Sequence, residues 1–225
     1  MEKVVISWSG GKDSALALQS IILGRQYEIA SLMTTVNAAY GRISMHGVRR
    51  SLLQQQAASL GIPLLEILLH PNITNEAYGS IMEREMRRLK EANIRKVVFG
   101  DLFLDDVRKY REENLKKVGM EAVFPLWGRP TRDVVEQFLQ AGFKAIVTCV
   151  DTTQLDGSFA GLEINADFLA NLPVGVDPCG ENGEFHTFVF DGPIFSTPVR
   201  FSKGDIVLRD DRFMFADLND VKKQS

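Results

Sequence analysis

The chain has 225 residues, 45% of them hydrophobic and 24% charged, with a formal net charge of -3. This describes a globular protein with room for one large or two small domains, and the acidic balance excludes a dominant nucleic-acid-binding face. Two cysteines without C-x-x-C spacing exclude a disulfide scaffold or cysteine-built zinc site, and no apolar run approaches about 18 residues, the length of a membrane span. The expectation is a cytoplasmic protein with no membrane or DNA partner.

In chain order, residues 4–8 form a short β-branched run that predicts a buried strand, and from Asp13 onward apolar residues recur at helical spacing. Between them lies Ser9-Gly10-Gly11-Lys12-Asp13-Ser14, which is therefore a loop at a helix N-terminus. Its glycines let backbone N–H groups approach an anion with no Cβ in the way, and the helix end adds about half a positive charge. Ser9, Lys12 and Ser14 supply further donors, so the loop is predicted to bind phosphate. Lys12 follows the paired glycines directly, which disfavours a γ-phosphate-transferring loop of the GxxxxGK type.

Further strand-like runs at 29–36, 64–69, 96–100 and 122–126 alternate with helical patterns, which predicts an α/β fold with a five-stranded parallel sheet and helices on both faces. Val48, Leu52, Leu53, Ala57 and Leu60 give one helix an apolar stripe that stops at Gly61 with Pro63 beyond. Charged helices are expected at 74–91 and 105–118, their basic clusters read as solvated faces.

After Pro130 the pattern predicts a helix at 131–141 capped by Thr131, a strand at 144–150 and a short helix at 163–171. Strands at 185–190 and 199–201 follow, then a hairpin of 206–208 and 213–215 around Asp210-Asp211. A boundary near residue 127 is expected to divide a nucleotide-binding domain, 1–126, from a smaller α+β domain, 127–225. Phe213 and Phe215 are expected at the edge of a homodimer.

Ligands of open parallel sheets bind outside the carboxyl ends of the strands, which points to loops 34–45, 70–75 and 100–105 beside the phosphate loop. Thr34 and Gly100 head two of them. Residues 179–187, with Cys179, Gly180, Glu181, Asn182, Gly183, Glu184 and His186, form a second dense cluster that reads equally as a catalytic site or as a glycine-rich turn entering a strand. Cys149, inside an apolar run, reads as core, and His46 is open between a role and none.

SGGKDS resembles the signature of the ATP pyrophosphatases. That resemblance implies an adenine-nucleotide-α-hydrolase (HUP) fold whose loop, with Thr34 and Gly100, holds ATP at its pyrophosphate end. A nucleophile then attacks the α-phosphorus, giving AMP and pyrophosphate. Asp13 and Asp101, at strand–loop junctions, become candidate ligands for the Mg2+ that ATP brings.

Several segments together resemble the diphthine-ammonia ligase family in particular. Besides Ser9 to Ser14 they are Gln56-Ala57, Gly61-Ile62-Pro63-Leu64, Gly100-Asp101, Pro125-Leu126-Trp127, Gly142-Phe143-Lys144-Ala145, residues 179–184 and Asp191-Gly192-Pro193-Ile194-Phe195. The resemblance implies ATP-dependent amidation of a carboxylate by ammonia: diphthine, on a histidine of translation elongation factor 2, becomes diphthamide. Lys12, Asp13, Asp101, Glu184 and His186 are then the expected catalytic residues, and Gly180 to Glu184 the acceptor site. Glu184 or His186 would position the acceptor or take a proton from ammonium.

Two departures mark a divergent branch, similar to bacterial members. Relatives read Gly-Gly-Glu, aromatic, Glu-Thr where this chain has Asn182-Gly183-Glu184-Phe185-His186-Thr187, and Ser-x-Tyr-Gln where it has Leu104-Asp105-Asp106-Val107. An organism without diphthine would require another carboxylate. Rival expectations are a tRNA-thiolating or tRNA-lysidine-forming pyrophosphatase, of which thiolation would want paired redox cysteines and both would want more positive charge for tRNA, a glutamine amidotransferase, which would want an N-terminal cysteine where Glu2 follows Met1, and an ATP or AMP sensor without turnover.

Overall fold

The computed structural model describes residues 1–43 and 47–221; His46 lies outside them. Apolar runs set the first sheet. Strands β1 (Glu2–Ser7), β2 (Tyr27–Asn37), β4 (Leu64–Leu69), β5 (Ile94–Val98) and β6 (Glu121–Val123) are parallel in the order β4-β2-β1-β5-β6. A two-residue strand, β3 (Arg42–Ile43), adds antiparallel to β2 and has no apolar pattern to announce it. β6 ends at Val123, short of the predicted 126, because residues 124–127 turn around Pro125.

Side chains of β1 alternate between two cores. Val4, Ile6 and Trp8 join a cluster containing residues of α1 (Lys12–Gly24) and α2 (Arg50–Leu60), while Val5 faces Met86, Leu89 and Leu115 from α3 (Asn75–Glu91) and α4 (Asp105–Lys117). The sheet is thus covered by helices on both faces. Ala15, Leu16, Ala17 and Leu18 of α1 are all fully buried, because α1 lies between this sheet and a second one. A helix buried all round reads as a continuous apolar run rather than a stripe.

The second sheet is antiparallel, ordered β8 (Phe185–Asp191), β7 (Lys144–Asp151), β10 (Phe213–Asp220), β9 (Phe201–Arg209). Asp210 and Asp211, at φ 52° and 49°, make the tight turn of the β9–β10 hairpin. β10 is paired on both sides, so Phe213 and Phe215 do not lie on an open edge; β9 is the outer strand. Two helices complete this half, α5 (Thr131–Gln140) and α6 (Ala166–Asn171). Pro130, not Thr131, occupies the N-cap of α5, and the predicted helix at 163–171 begins only after Asn165, whose side chain caps it by accepting from Phe168 N at 2.8 Å. Phe138, Phe168, Ile146 and Phe188 share one hydrophobic cluster with β1 and α1, so the two sheets enclose a common core. Among the described residues no helix is long and apolar enough to cross a membrane.

Candidate active site

The phosphate loop closes on itself through its serines. Ser9 Oγ lies 3.1 Å from Ser14 Oγ and accepts from Gly11 N at 3.2 Å, and Ser14 Oγ donates to Gly11 O at 2.9 Å. The second sheet then grips the loop from outside. Thr187 Oγ1 accepts from Lys12 N at 3.1 Å, and Val189 N donates to Gly10 O at 2.9 Å. Gln56, fully buried, donates to both Gly10 O (3.0 Å) and Val189 O (2.6 Å) and accepts from Trp8 Nε1 at 2.9 Å. The loop is in this way tied to β8 by one backbone hydrogen bond, and Gln56 bridges the same two residues. Gly10 faces Gln56, and lines neither of the two cavities described below.

Lys12 is the pin between the halves. Its buried Nζ donates to Asp13 Oδ2 at 2.7 Å and to the Cys179 carbonyl, and lies 5.7 Å from the centre of the Phe185 ring. Burial works against its charge, but Asp13, with Cys179 and Glu181 nearby, outweighs burial and holds Lys12 above the usual lysine range.

The turn across from the loop spends most of its carboxylates on itself. Asp177 Oδ1 accepts from Cys179 N (2.9 Å) and Glu181 N (3.2 Å). Glu184 Oε1 accepts from Asp177 N (2.9 Å) and Asn182 Nδ2 (3.0 Å), and Glu184 lines neither of the two cavities described below. Gly180, at φ 66°, sits where a Cβ would stand 2.7 Å from Phe185 O, so only glycine fits. Glu181 alone turns outward: Oε1 accepts from Leu102 N at 2.7 Å while the side chain lines the cleft. Burial pushes its carboxyl up to about 7, against the pull of the Leu102 N–H. Burial pushes His186 down to about 4, with Lys12 adding to the effect. Burial also pushes the Cys179 thiol up to about 12, and its Sγ donates to Thr131 O at 3.2 Å. Cys149 is buried in β7 with its thiol likewise pushed up to about 12.

Gly100 packs onto the start of α1, where an added Cβ would lie 2.7 Å from the Asp13 carbonyl carbon. That approach brings Asp101 to the cleft. Asp101 Oδ1 accepts from Arg111 Nη2 at 3.0 Å, and the Arg111 guanidinium lies 4.3 Å from the Phe99 ring centre.

Two cavities result. The smaller, about 220 Å³, is lined by Ser9, Gly11, Lys12, Asp13 and Ser14 on one side. Gly100 and Asp101 line it too, as do Gly180, Glu181, Gly183 and His186 from the turn. The larger, about 650 Å³, includes Thr34 and an apolar wall of Met33, Leu69, Met82 and Met86. Ser7, Ser9, Phe99, Arg111 and His186 line both, so the cavities meet there. Gly10, Asn182 and Glu184 are the expected site residues that line neither. Sequence reasoning missed Arg111, which sat in a run read as a solvated helix face, gave Gln56 no site role, and had Thr187 in the second cluster without a role of its own. Among the described residues no group of three or more His, Cys, Asp or Glu could hold a metal by itself. Asp13 and Asp101 still suit an ion that arrives on phosphate, since magnesium commonly takes only one or two protein carboxylates.

Two family models match the chain: the diphthamide synthase N-terminal domain over residues 2–122 and the diphthamide synthase C-terminal domain over residues 130–221. No curated protein matches it significantly. Among the solved structures that match is the U34-tRNA thiolase NcsA from Methanococcus maripaludis with its 4Fe-4S cluster, at 18% identity and a TM-score of 0.40, covering 61% of this chain. The chain spans 57% of the length of that thiolase. With the two domain models covering nearly all of it, the chain belongs to the diphthamide synthase family.

Proposed function

We propose that the protein activates a carboxylate with ATP and amidates it with ammonia, releasing pyrophosphate and then AMP. The observation that carries this reading is the single cleft formed by a phosphate loop and a carboxylate-bearing turn, pinned together by Lys12. A carboxylate does not lose oxygen to ammonia at neutral pH, so it must first gain a leaving group. One carboxylate oxygen bonds to the α-phosphorus, the bond to the bridging oxygen breaks, and pyrophosphate departs. Ammonia then attacks the acyl carbon and AMP leaves.

In this scheme the apolar larger cavity takes the adenosine and the smaller cavity the pyrophosphate end. Lys12, Ser9, Ser14 and the α1 N-terminus hold the phosphates. Asp13 and Asp101 would hold magnesium, which supplies charge neutralisation at the leaving pyrophosphate. Glu181, rather than Glu184, takes the proton from ammonium, since it is the carboxylate of the turn that faces the cleft. Gly180 and Gly183 shape the acceptor side, and His186 stands at the junction of the cavities. Diphthine on elongation factor 2 is the first acceptor to test. The relatives' Glu, where this chain has His186, makes a different carboxylate the second.

Sulfur transfer by this chain's own cysteines has no support, because both thiols are buried and hard to ionise. The test supplies ATP, Mg2+ and ammonium with diphthine-bearing elongation factor or other carboxylic acids. Acceptor-dependent AMP and pyrophosphate are expected; release of ADP overturns the reading.

A further inference from the structure

The meeting place of the two cavities fixes where the reacting phosphorus must lie. If adenosine fills the larger cavity and pyrophosphate the smaller, as proposed above, the α-phosphate bridges them beside Ser7, Ser9, Phe99, Arg111 and His186. Lys12 lines the smaller cavity and not the larger, and Lys117 the larger and not the smaller, so among the described residues Arg111 is the one lysine or arginine common to both. We propose that Arg111 is a catalytic residue whose guanidinium takes the α-phosphate oxygens at this junction.

The surroundings prepare it for that contact. Phe99 supports one face of the guanidinium, and Asp101 holds its Nη2 at 3.0 Å. The second contact of the pair, Nε to Asp101 Oδ2, is close at 2.5 Å but badly aligned, and both of these buried atoms lack a formed hydrogen bond among the described residues. A guanidinium presents a planar fork that matches two phosphate oxygens. When the acceptor oxygen bonds to phosphorus and the bond to pyrophosphate breaks, charge grows on those oxygens, and a pre-oriented cation there favours the transition state over bound ATP. Asp101 then acts as a positioning residue as well as a candidate magnesium ligand.

The experiment compares wild type with Arg111→Met and Arg111→Lys, using the acceptor that wild type turns over. For R111M, kcat is expected to fall about 10²- to 10³-fold with less than about tenfold change in KM for ATP. The specific readout is the ratio of rates for the two diastereomers of ATP carrying sulfur on the α-phosphate. Wild type should discriminate between them, and R111M, or R111K if R111M does not fold, should lose most of that discrimination. Discrimination and kcat both unchanged in the variants overturn the role of Arg111. No AMP from wild type with any acceptor overturns the underlying ATP reading instead.

Discussion

The loop at residues 9–14 and the turn at residues 177–187 face each other across one cleft, and both carry glycines and charged side chains in a short span. In the loop, nearly every polar residue faces the cavity, because a helix start directs its N–H groups and first side chains to one place. In the turn, Asp177 Oδ1 and Glu184 Oε1 are taken by the turn's own backbone and Asn182, and of the turn's described carboxylates Glu181 is the one that lines this cavity. Residue type therefore announced which side chains line the cleft in the loop but not in the turn.

The largest expected effect breaks the link between the two regions. Lys12→Met removes the cation at the pyrophosphate end and the pin to Cys179, and should lower the rate of AMP formation about 10²- to 10³-fold. Full activity in this variant would contradict the assignment of the loop.

Next comes the contrast inside the turn. Glu181→Gln should slow amide formation about 10²-fold, whereas Glu184→Gln should stay within about tenfold of wild type, because its carboxylate does not reach the cleft. A base must be ionised to act, so the wild-type rate should rise with pH through about 7, and this limb should vanish in E181Q. The same carboxyl has a sign to check in stability. Its value is raised from the ordinary 4.5 to about 7, so between those values the folded protein keeps a proton that the unfolded chain has released. Stability should therefore fall as pH rises across that window, and urea unfolding of E181Q should lose this decline. Equal losses in the two variants would erase the distinction drawn between them.

The smallest effect probes the clasp of the second sheet on the loop. Thr187→Val removes the acceptor for Lys12 N and should cost about 1 kcal/mol, or about 2–4 °C in thermal unfolding. A rate loss as large as that of K12M would mean that Thr187 contacts the reactants itself.

Much of the first sheet was legible because its central strands are buried on both faces and so appear as unbroken apolar runs, as at Val4, Val5 and Ile6. Gly61 marked the end of α2 through its left-handed backbone, at φ 67°. β3 was invisible because two residues hold no periodicity, and β9 looked like two fragments because its exposed residues do not alternate cleanly. The candidate edge at Phe213 and Phe215 failed for a related reason: strand pairing depends on partners distant in sequence.

By itself the sequence determined the strand–loop–helix arrangement at residues 9–14, since a strand, two glycines and a helix start are local features whose geometry follows from backbone sterics and the helix dipole. It also carried the family, through motifs spread along nearly the whole chain. Only the tertiary structure decided which charged groups act together. Arg111 lies on a helix rich in charge, yet folding brings it to Asp101 and to both cavities. Glu181 and Glu184 stand three residues apart with the same chemistry, and their surroundings alone turn one into the cleft and the other into the frame that holds it.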